Sequence, residues 1–144
     1  MQAKPTRALP LVTPLTQPFW DAASRHELVI QRCQQCGHFF HPPVAVCIKC
    51  LSSRLAYEPV SGRGRIHART VMHDGRIRGF GDSVPFALIA VELHEQRGLL
   101  MVTNLLDAPP EDAQIGREVT VDFEPMGGGF VLPQFRLAGM GGAA

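Results

Sequence analysis

Apolar and polar residues alternate along much of this chain, and the alternation predicts short β-strands. It is cleanest over 117–124, where Val119, Val121 and Phe123 share one face. The segment 86–94 is almost continuously apolar, which is typical of a central strand. Turn-forming residues bound each candidate strand. The predicted strands span 28–32, 55–60, 65–73, 86–94, 99–106, 117–124 and 130–132.

A single short helix precedes these strands. The segment 16–27 is predicted to be helical, with Pro18 in the first turn, where a missing N–H group costs little. Phe19, Trp20 and Ala23 give this helix one apolar face. A helix of this length is not stable alone, so its apolar face must dock on another part of the chain or on a partner.

Glycine and proline are frequent, with 14 and 12 copies in 144 residues, and they favour many turns. Five or six short strands without a long helix predict an antiparallel meander that forms a small closed barrel. The Ile115-Gly116 pair stands before the strand at 117–124, as at the entry to the fourth strand of an OB-fold. In the strand at 65–73, one face is predicted to carry Ile66, Ala68, Thr70 and Met72.

All four cysteines lie in one pattern, C-x2-C-x10-C-x2-C, formed by Cys33, Cys36, Cys47 and Cys50. Two such pairs can converge on one tetrahedral zinc ion, which four thiolates bind at about 2.3 Å. Four thiolates leave no position for water or substrate, so the predicted zinc, one per chain, is structural. Residues 28–53 are therefore predicted to form a zinc ribbon.

Three other states of these cysteines remain open. Two disulfides are possible, although nothing in the sequence indicates secretion and disulfides do not require paired CxxC spacing. A rubredoxin-like iron site also uses four thiolates, but Leu51 stands where a glycine would follow the second pair. Free cysteines would make the regular spacing a coincidence.

The net charge of +1 conceals an uneven distribution of charged residues. Residues 1–80 carry 11 Lys and Arg against 4 Asp and Glu, whereas residues 81–144 carry 3 against 9. The basic half is either an ordinary solvated surface or a local site for anions. Its arginines cluster in one window and are Arg54, Arg63, Arg65, Arg69, Arg76 and Arg78.

The sequence predicts no catalytic centre. It contains no G-x-S-x-G motif, no spare cysteine nucleophile and no clear pair of carboxylates. His67 and His73 can share a strand face with Arg65 and Arg69, but surface roles are the usual case for single histidines. We also expect a cytoplasmic protein, because the first residues do not resemble a signal peptide and no apolar run is long enough to span a membrane.

Several short motifs occur in an order that resembles one known family, over residues 15–137. They are Pro18-Phe19-Trp20, Gln31-Arg32-Cys33, Pro42-Pro43, Ser61-Gly62-Arg63-Gly64, Pro85-Phe86-Ala87, Ile115-Gly116 and Leu132-Pro133-Gln134-Phe135. The family is the zinc-ribbon/OB-fold family of acyl-CoA-associated proteins, often encoded beside thiolase-like enzymes. Many relatives have Cys-Pro at the second cysteine pair, whereas this chain has Cys47-Ile48.

The resemblance implies a mainly β protein in which a short helix and a rubredoxin-like zinc ribbon precede a small OB-fold β-barrel. It also implies a non-catalytic accessory subunit that associates with a thiolase-like enzyme or a hotdog-fold hydratase and helps to hold the acyl-CoA. The expected divisions are an extended segment and helix at 1–27, the ribbon at 28–53, the barrel at 54–137 and a disordered tail at 138–144.

Two sets of residues are candidates for these contacts. The glycine-rich loop at 74–85 carries Arg76 and Arg78, which suit the phosphates of CoA, and Phe80, which offers a stacking surface for adenine; Arg65 is a further candidate. An ordinary solvated loop is the alternative. Four aromatic residues without an obvious local core are expected either at the partner interface or in packing of the ribbon, and they are Phe19, Trp20, Phe39 and Phe40.

Binding of single-stranded nucleic acid is the rival function, because OB-folds and zinc ribbons both serve it. Such sites need exposed aromatic residues on the second and third strands of the barrel. The strand at 65–73 has none and the next strand has only Phe86. The near-neutral net charge also argues against a large contribution from phosphate contacts.

Overall fold

The computed structural model describes residues 7–139. Most of the predicted tail, together with residues 1–6, lies outside this range. No helix among the described residues is long and apolar enough to cross a membrane. The elements are α1 (Gln17–Ser24), β1 (Val29–Cys33), β2 (Phe39–Phe40), β3 (Leu55–Pro59), β4 (Arg63–Met72), β5 (Phe86–Leu93), β6 (Leu100–Asn104), a 3-10 turn (Pro110–Asp112), β7 (Glu118–Gly127) and β8 (Phe130–Leu137).

A small antiparallel sheet in the order β2-β1-β3 forms the ribbon. The backbone of Val29–Cys33 pairs along its whole length with Leu55–Pro59. The ribbon sheet therefore extends through residue 59, beyond the boundary expected after residue 53. Alternation alone does not show which sheet a strand joins, so β3 was expected to be the first strand of the barrel.

The second sheet has the order β6-β5-β4-β7-β8, which is the strand order of an OB-fold, and all of its ladders are antiparallel. Within residues 7–139, the backbones of its two edge strands pair only through a parallel bridge between Leu105 and Phe135, next to a 2.8 Å hydrogen bond from the Leu106 N–H to the Phe135 carbonyl. The predicted closed barrel is therefore an OB-like sheet that curls without a continuous closing ladder.

One buried side chain, Gln134, fills the seam between the two edge strands. Its Oε1 accepts hydrogen bonds from the Thr103 hydroxyl at 2.5 Å and from the Asn104 N–H at 2.8 Å. Its Nε2 donates to Asn104 Oδ1 at 3.2 Å and to Glu124 Oε1 at 3.1 Å. Gln134 is 1% exposed, so all of its polar capacity is used within the protein.

The ribbon, the helix and the barrel share one hydrophobic core. Inward-facing residues of the barrel strands, such as Ile89 and Phe135, are fully buried. Ile30 and Phe39 of the ribbon, with Phe19 of α1, belong to the same cluster. The short helix therefore docks on the chain's own core, as its length requires.

A β-bulge in β4 changes which of its residues face inward. The pairing passes from Ile66 opposite Val91 to Ala68 opposite Ala90, so β4 contains one extra residue at His67. Ile66 is buried, whereas Ala68 and Thr70 are exposed. The prediction that one face carries Ile66, Ala68, Thr70 and Met72 is therefore wrong beyond the bulge.

The turn between β5 and β6 connects the barrel to the edge of the ribbon through Gln96. The side-chain amide accepts a hydrogen bond from the Phe39 N–H at 2.8 Å and donates one to the Phe39 carbonyl at 3.0 Å. A glutamine side chain here replaces a neighbouring strand, because it satisfies both backbone groups of a buried edge residue.

We predict that Gln96→Ala loosens this junction. Phe39 loses two hydrogen-bond partners, so the free energy of unfolding should fall by about 1–3 kcal/mol. Denaturant titration followed by circular dichroism measures this loss, and amide hydrogen exchange should show faster exchange at Phe39. Gln114→Ala, which shortens an exposed glutamine elsewhere, is the control. Unchanged protection of the Phe39 amide would contradict the role of Gln96.

Candidate functional site

Two turns of similar geometry present the four cysteines. In the first, the Gly37 N–H donates to the Cys33 carbonyl at 2.9 Å, and Gly37 has a φ of +82°. In the second, the Leu51 N–H donates to the Cys47 carbonyl at 2.9 Å, and Leu51 has a φ of +65°. The left-handed conformation favours glycine, so only the first turn has the residue that its backbone prefers.

The four thiols converge at a geometry suited to one metal ion. The Sγ atoms of Cys33 and Cys50 are 3.6 Å apart, as are those of Cys36 and Cys47, and all four lie within 4.8 Å of one another. A tetrahedron with metal–sulfur bonds of 2.3 Å has edges of about 3.8 Å. All four cysteines are free thiols, so neither of the possible disulfides is present.

Backbone N–H groups point at two of the sulfur atoms. The Cys36 N–H donates to Cys33 Sγ at 3.5 Å, and the N–H groups of Lys49 and Cys50 approach Cys47 Sγ at 3.4 Å. The hydrogen bond from Cys36 is the largest influence on Cys33 and contributes to lowering the pKa of its thiol to about 6. Such bonds favour the thiolate, which is the form that binds metal.

The predicted phosphate-binding residues lie in two separate places. Arg65 is near the start of β4 and forms an ion pair with Glu92 at 3.3 Å. Arg76 and Arg78 are exposed in the loop that follows β4, and Arg76 pairs with Asp74 at 2.9 Å. About seven strand residues, or about 23 Å, separate Arg65 from this loop. The structure therefore groups Arg76 with Arg78 but not with Arg65.

Phe80 is held within the protein by two stacking neighbours. Its ring lies 4.9 Å from that of Phe86, and the guanidinium of Arg7 lies 4.3 Å from its centroid. Arg7 also donates to Ser83 Oγ at 3.3 Å and pairs with Glu124 at 3.4 Å. Phe80 thus anchors one side of the loop, and the segment that precedes α1 restrains it.

A groove of about 530 Å³ next to the loop was not foreseen from the sequence. Val71, Pro85 and Ile115 give it an apolar floor, and Arg69 and His73 contribute cationic or polar groups. Within residues 7–139, neither Arg69 nor His73 takes part in an ion pair. The i, i+2, i+4 spacing of 69, 71 and 73 was visible in the sequence, but nothing there showed that Ile115 approaches this strand.

The aromatic residues considered for a partner interface occupy different environments. Phe19, Phe39 and Phe40 are only 7–8% exposed and pack in the chain's own clusters. Trp20 is partly exposed and makes edge-to-face contacts with Phe19 at 5.0 Å and Phe130 at 6.0 Å. Three of the four therefore have a local core, which the sequence pattern did not show.

In this protein, few aromatic residues lie on the strands that nucleic-acid-binding OB-folds use. Because β3 belongs to the ribbon, the second and third strands of the barrel are β5 and β6 rather than β4 and β5. These two strands contain a single aromatic residue, Phe86, and its ring stacks on Phe80. The stacking platform that single-stranded nucleic acid requires is not formed by these strands.

The fold and the four-thiol site together define a zinc-ribbon/OB-fold protein. Two family models match its two parts: the ChsH2 rubredoxin-like zinc ribbon domain over residues 20–56, and the ChsH2 C-terminal OB-fold domain over residues 57–124. The chain is also 33% identical over 100 residues to a DUF35 domain-containing scaffold protein of Methanothermobacter thermautotrophicus, covering 69% of this chain and 73% of that protein. It therefore belongs to the ChsH2/DUF35 family, and the resemblance inferred from its motifs is confirmed.

Two further relatives are longer proteins. A probable enoyl-CoA hydratase alpha subunit of Thermomonospora curvata is 35% identical over 121 residues, which is 83% of this chain and 37% of that protein. The 3-oxo-4,17-pregnadiene-20-carboxyl-CoA hydratase alpha subunit of Mycobacterium tuberculosis is 36% identical over 105 residues, 73% of this chain and 32% of that protein. The matches span only about a third of the length of these two alpha subunits.

Solved structures share the fold. The Ltp2-ChsH2(DUF35) aldolase contains a chain that is 32% identical and matches with a TM-score of 0.82 over 90% of this chain and 99% of that chain. A DUF35-family protein of unknown function from Sulfolobus solfataricus, 12% identical, matches with a TM-score of 0.59 over 88% of this chain and 87% of that chain. The second likeness concerns the fold alone.

Proposed function

We propose that this chain is a non-catalytic accessory subunit that associates with a thiolase-like acyl-CoA enzyme and helps to position the acyl-CoA. A hotdog-fold hydratase is the other class of partner in this proposal. The four-thiol cluster supports the non-catalytic part, because four cysteine ligands complete a tetrahedral shell and leave no position for substrate. The likeness to a chain of the Ltp2-ChsH2(DUF35) aldolase, 32% identical, supports the association with an enzyme. Two relatives that are alpha subunits, and another that is a scaffold protein, support the accessory role.

The metal in this proposal is one structural zinc ion per chain. The sulfur spacing fits its tetrahedral geometry, and the four cysteines would hold it between the buried Cys33 and Cys47 and the more exposed Cys36 and Cys50. Zinc binding contributes free energy to folding because the four cysteines come together as a site only in the folded state. A reducing cytoplasm is part of the proposal, because the thiols must stay reduced to bind the ion.

We predict that Cys47→Ser removes the metal and disorders the ribbon. The strands of the ribbon have only two to five residues and depend on the ion as well as on the shared core, so they should lose order without it. The longer strands of the barrel should retain much of their signal. Metal analysis should give about one zinc per wild-type chain, and circular dichroism should show partial rather than complete loss of β structure. Iron in the purified protein, or an ordered ribbon without metal, would contradict the zinc assignment.

The association with an enzyme is the second testable part of the proposal. We predict that co-expression with a thiolase-like acyl-CoA enzyme of the source organism yields a stable hetero-oligomer, measurable by native mass spectrometry. The isolated chain should catalyse neither acyl transfer nor hydration, because all four of its cysteines belong to the metal cluster and none is left as a nucleophile. Robust turnover by the isolated chain would defeat the accessory role, and so would the absence of any complex.

The acyl-CoA contact in this proposal lies at the groove and the loop beside it. Arg69 and His73 can meet the phosphates of CoA, and the apolar floor beside Ile115 suits an apolar part of the ligand. Arg76 and Arg78 extend the cationic surface along the loop. Glu111 also lines the groove and partly offsets this charge, so the partner must supply most of the affinity.

We predict that Arg69→Ala, and separately the double change Arg76→Ala/Arg78→Ala, weakens acyl-CoA binding by the complex about two- to fivefold at low salt. The effect should shrink as salt is added, because exposed charges are screened. Arg25→Ala, an exposed arginine at the end of α1, is the control. Isothermal titration calorimetry measures the affinities. Unchanged affinity in both variants would remove the groove and the loop from the site.

A further inference from the structure

Exposed apolar side chains concentrate at the tip of the second cysteine turn. Val46, Ile48 and Leu51 are 45%, 75% and 78% exposed, and all three lie within six residues. We call residues 46–51 the knuckle tip. The small cluster around the cysteines includes the nearby Val44 and Leu55 but none of these three side chains. The apolar surface of the knuckle tip therefore does not serve the packing of the chain.

The backbone of Leu51 shows that its side chain is kept at a cost to folding. Leu51 has a φ of +65°, and Gly37 has a φ of +82° at the equivalent position of the first turn. Both residues make the same 2.9 Å hydrogen bond to the carbonyl of the first cysteine of their pair. Glycine adopts this conformation without strain, whereas leucine is strained in it because of its Cβ atom. Since the side chain is also 78% exposed, packing within residues 7–139 does not account for a leucine at this position.

The charges around the knuckle tip identify the chemistry of a complementary surface. The segment 28–57 contains no Asp or Glu, and its lysine and arginine residues are Arg32, Lys49 and Arg54. Arg32 pairs with Glu58, whereas Lys49 lies on the tip and Arg54 follows it, and both are exposed. An apolar centre with a charged rim is the composition of many protein interfaces. The matching surface is an apolar pocket bordered by carboxylates.

We propose that the knuckle tip is the site by which this chain docks on its enzyme partner, with Leu51 and Ile48 inserted into an apolar pocket that acidic residues border. This inference rests on the proposed accessory function and adds the surface that performs it. The four cysteines hold the tip in one conformation before binding, so little conformational entropy is lost when the partner binds.

The test compares variants of the metal-loaded chain in titrations with a purified thiolase-like enzyme of the source organism. Leu51→Asn removes the apolar side chain, and asparagine tolerates the left-handed backbone. It should weaken binding about tenfold or more, as should Leu51→Gly. The control is Leu11→Asn, which changes a leucine that is 86% exposed in the segment before α1. This variant should bind the enzyme with an affinity within about twofold of wild type. Lys49→Glu should slow association, because it reverses one charge of the rim.

Thermal unfolding of the metal-loaded chains provides a test that does not need the partner. Leu51→Gly should melt at the wild-type temperature or above it, because glycine relieves the backbone strain. A lower melting temperature would mean that the Leu51 side chain serves the fold, and it would overturn the inference. Metal content, measured on every variant, shows that the turn is intact.

The remaining outcomes separate this inference from the proposed function. If the complex forms and Leu51→Asn and Leu51→Gly bind as tightly as wild type, only the docking surface is wrong. If no complex forms with the wild-type chain, the accessory function fails and the docking surface fails with it. If the wild-type chain dimerises and Leu51→Asn makes it monomeric, the knuckle tip joins two copies of this chain, and the assignment to an enzyme partner is overturned.

Discussion

The hydrophobic core that the two small sheets share is the constraint on which the rest of this structure depends. A three-stranded ribbon with strands of two to five residues buries too little apolar surface to be stable alone. Its Ile30 and Phe39 therefore pack against the same residues as the inner face of the barrel, and Phe19 of the helix covers them. The cysteine turns project from this shared core, so packing in the barrel fixes the base from which the metal site extends.

The convergence of the four cysteines could be predicted almost completely from the sequence, because these residues lie close together along the chain. Four cysteines in two CxxC pairs leave few alternatives, and the sulfur atoms converge as expected. The acyl-CoA residues could not be placed in the same way. Whether Arg65 lies near Arg76 depends on the length and direction of β4, and whether Arg69 lines a groove depends on where Ile115 lies. Both depend on how distant segments of the chain are arranged in space, and local sequence patterns do not contain that information.

The same limit explains which parts of the fold were mistaken. The type of most elements followed from alternation and turn residues, but β3 was expected in the barrel and pairs with the ribbon instead. The bulge at His67 moves the later side chains of β4 to the opposite side of the sheet, although the alternation of apolar and polar residues continues across it. Phe39 gave no sign of a local core because its core is formed mainly by barrel residues far away in sequence. Phe40 packs instead with Cys33 and Cys47, which come together only when the two cysteine turns fold.

The seam of the barrel limits the residues that can occupy position 134. Gln134 reaches across the gap with an oxygen that accepts from Thr103 and Asn104 and a nitrogen that donates to Glu124. Asparagine is one methylene shorter and cannot span the same distance. Glutamate would bring a second carboxylate against Glu124, and leucine would leave a backbone N–H without a partner in a buried place. Genetic variation at this position is therefore limited by hydrogen-bond geometry.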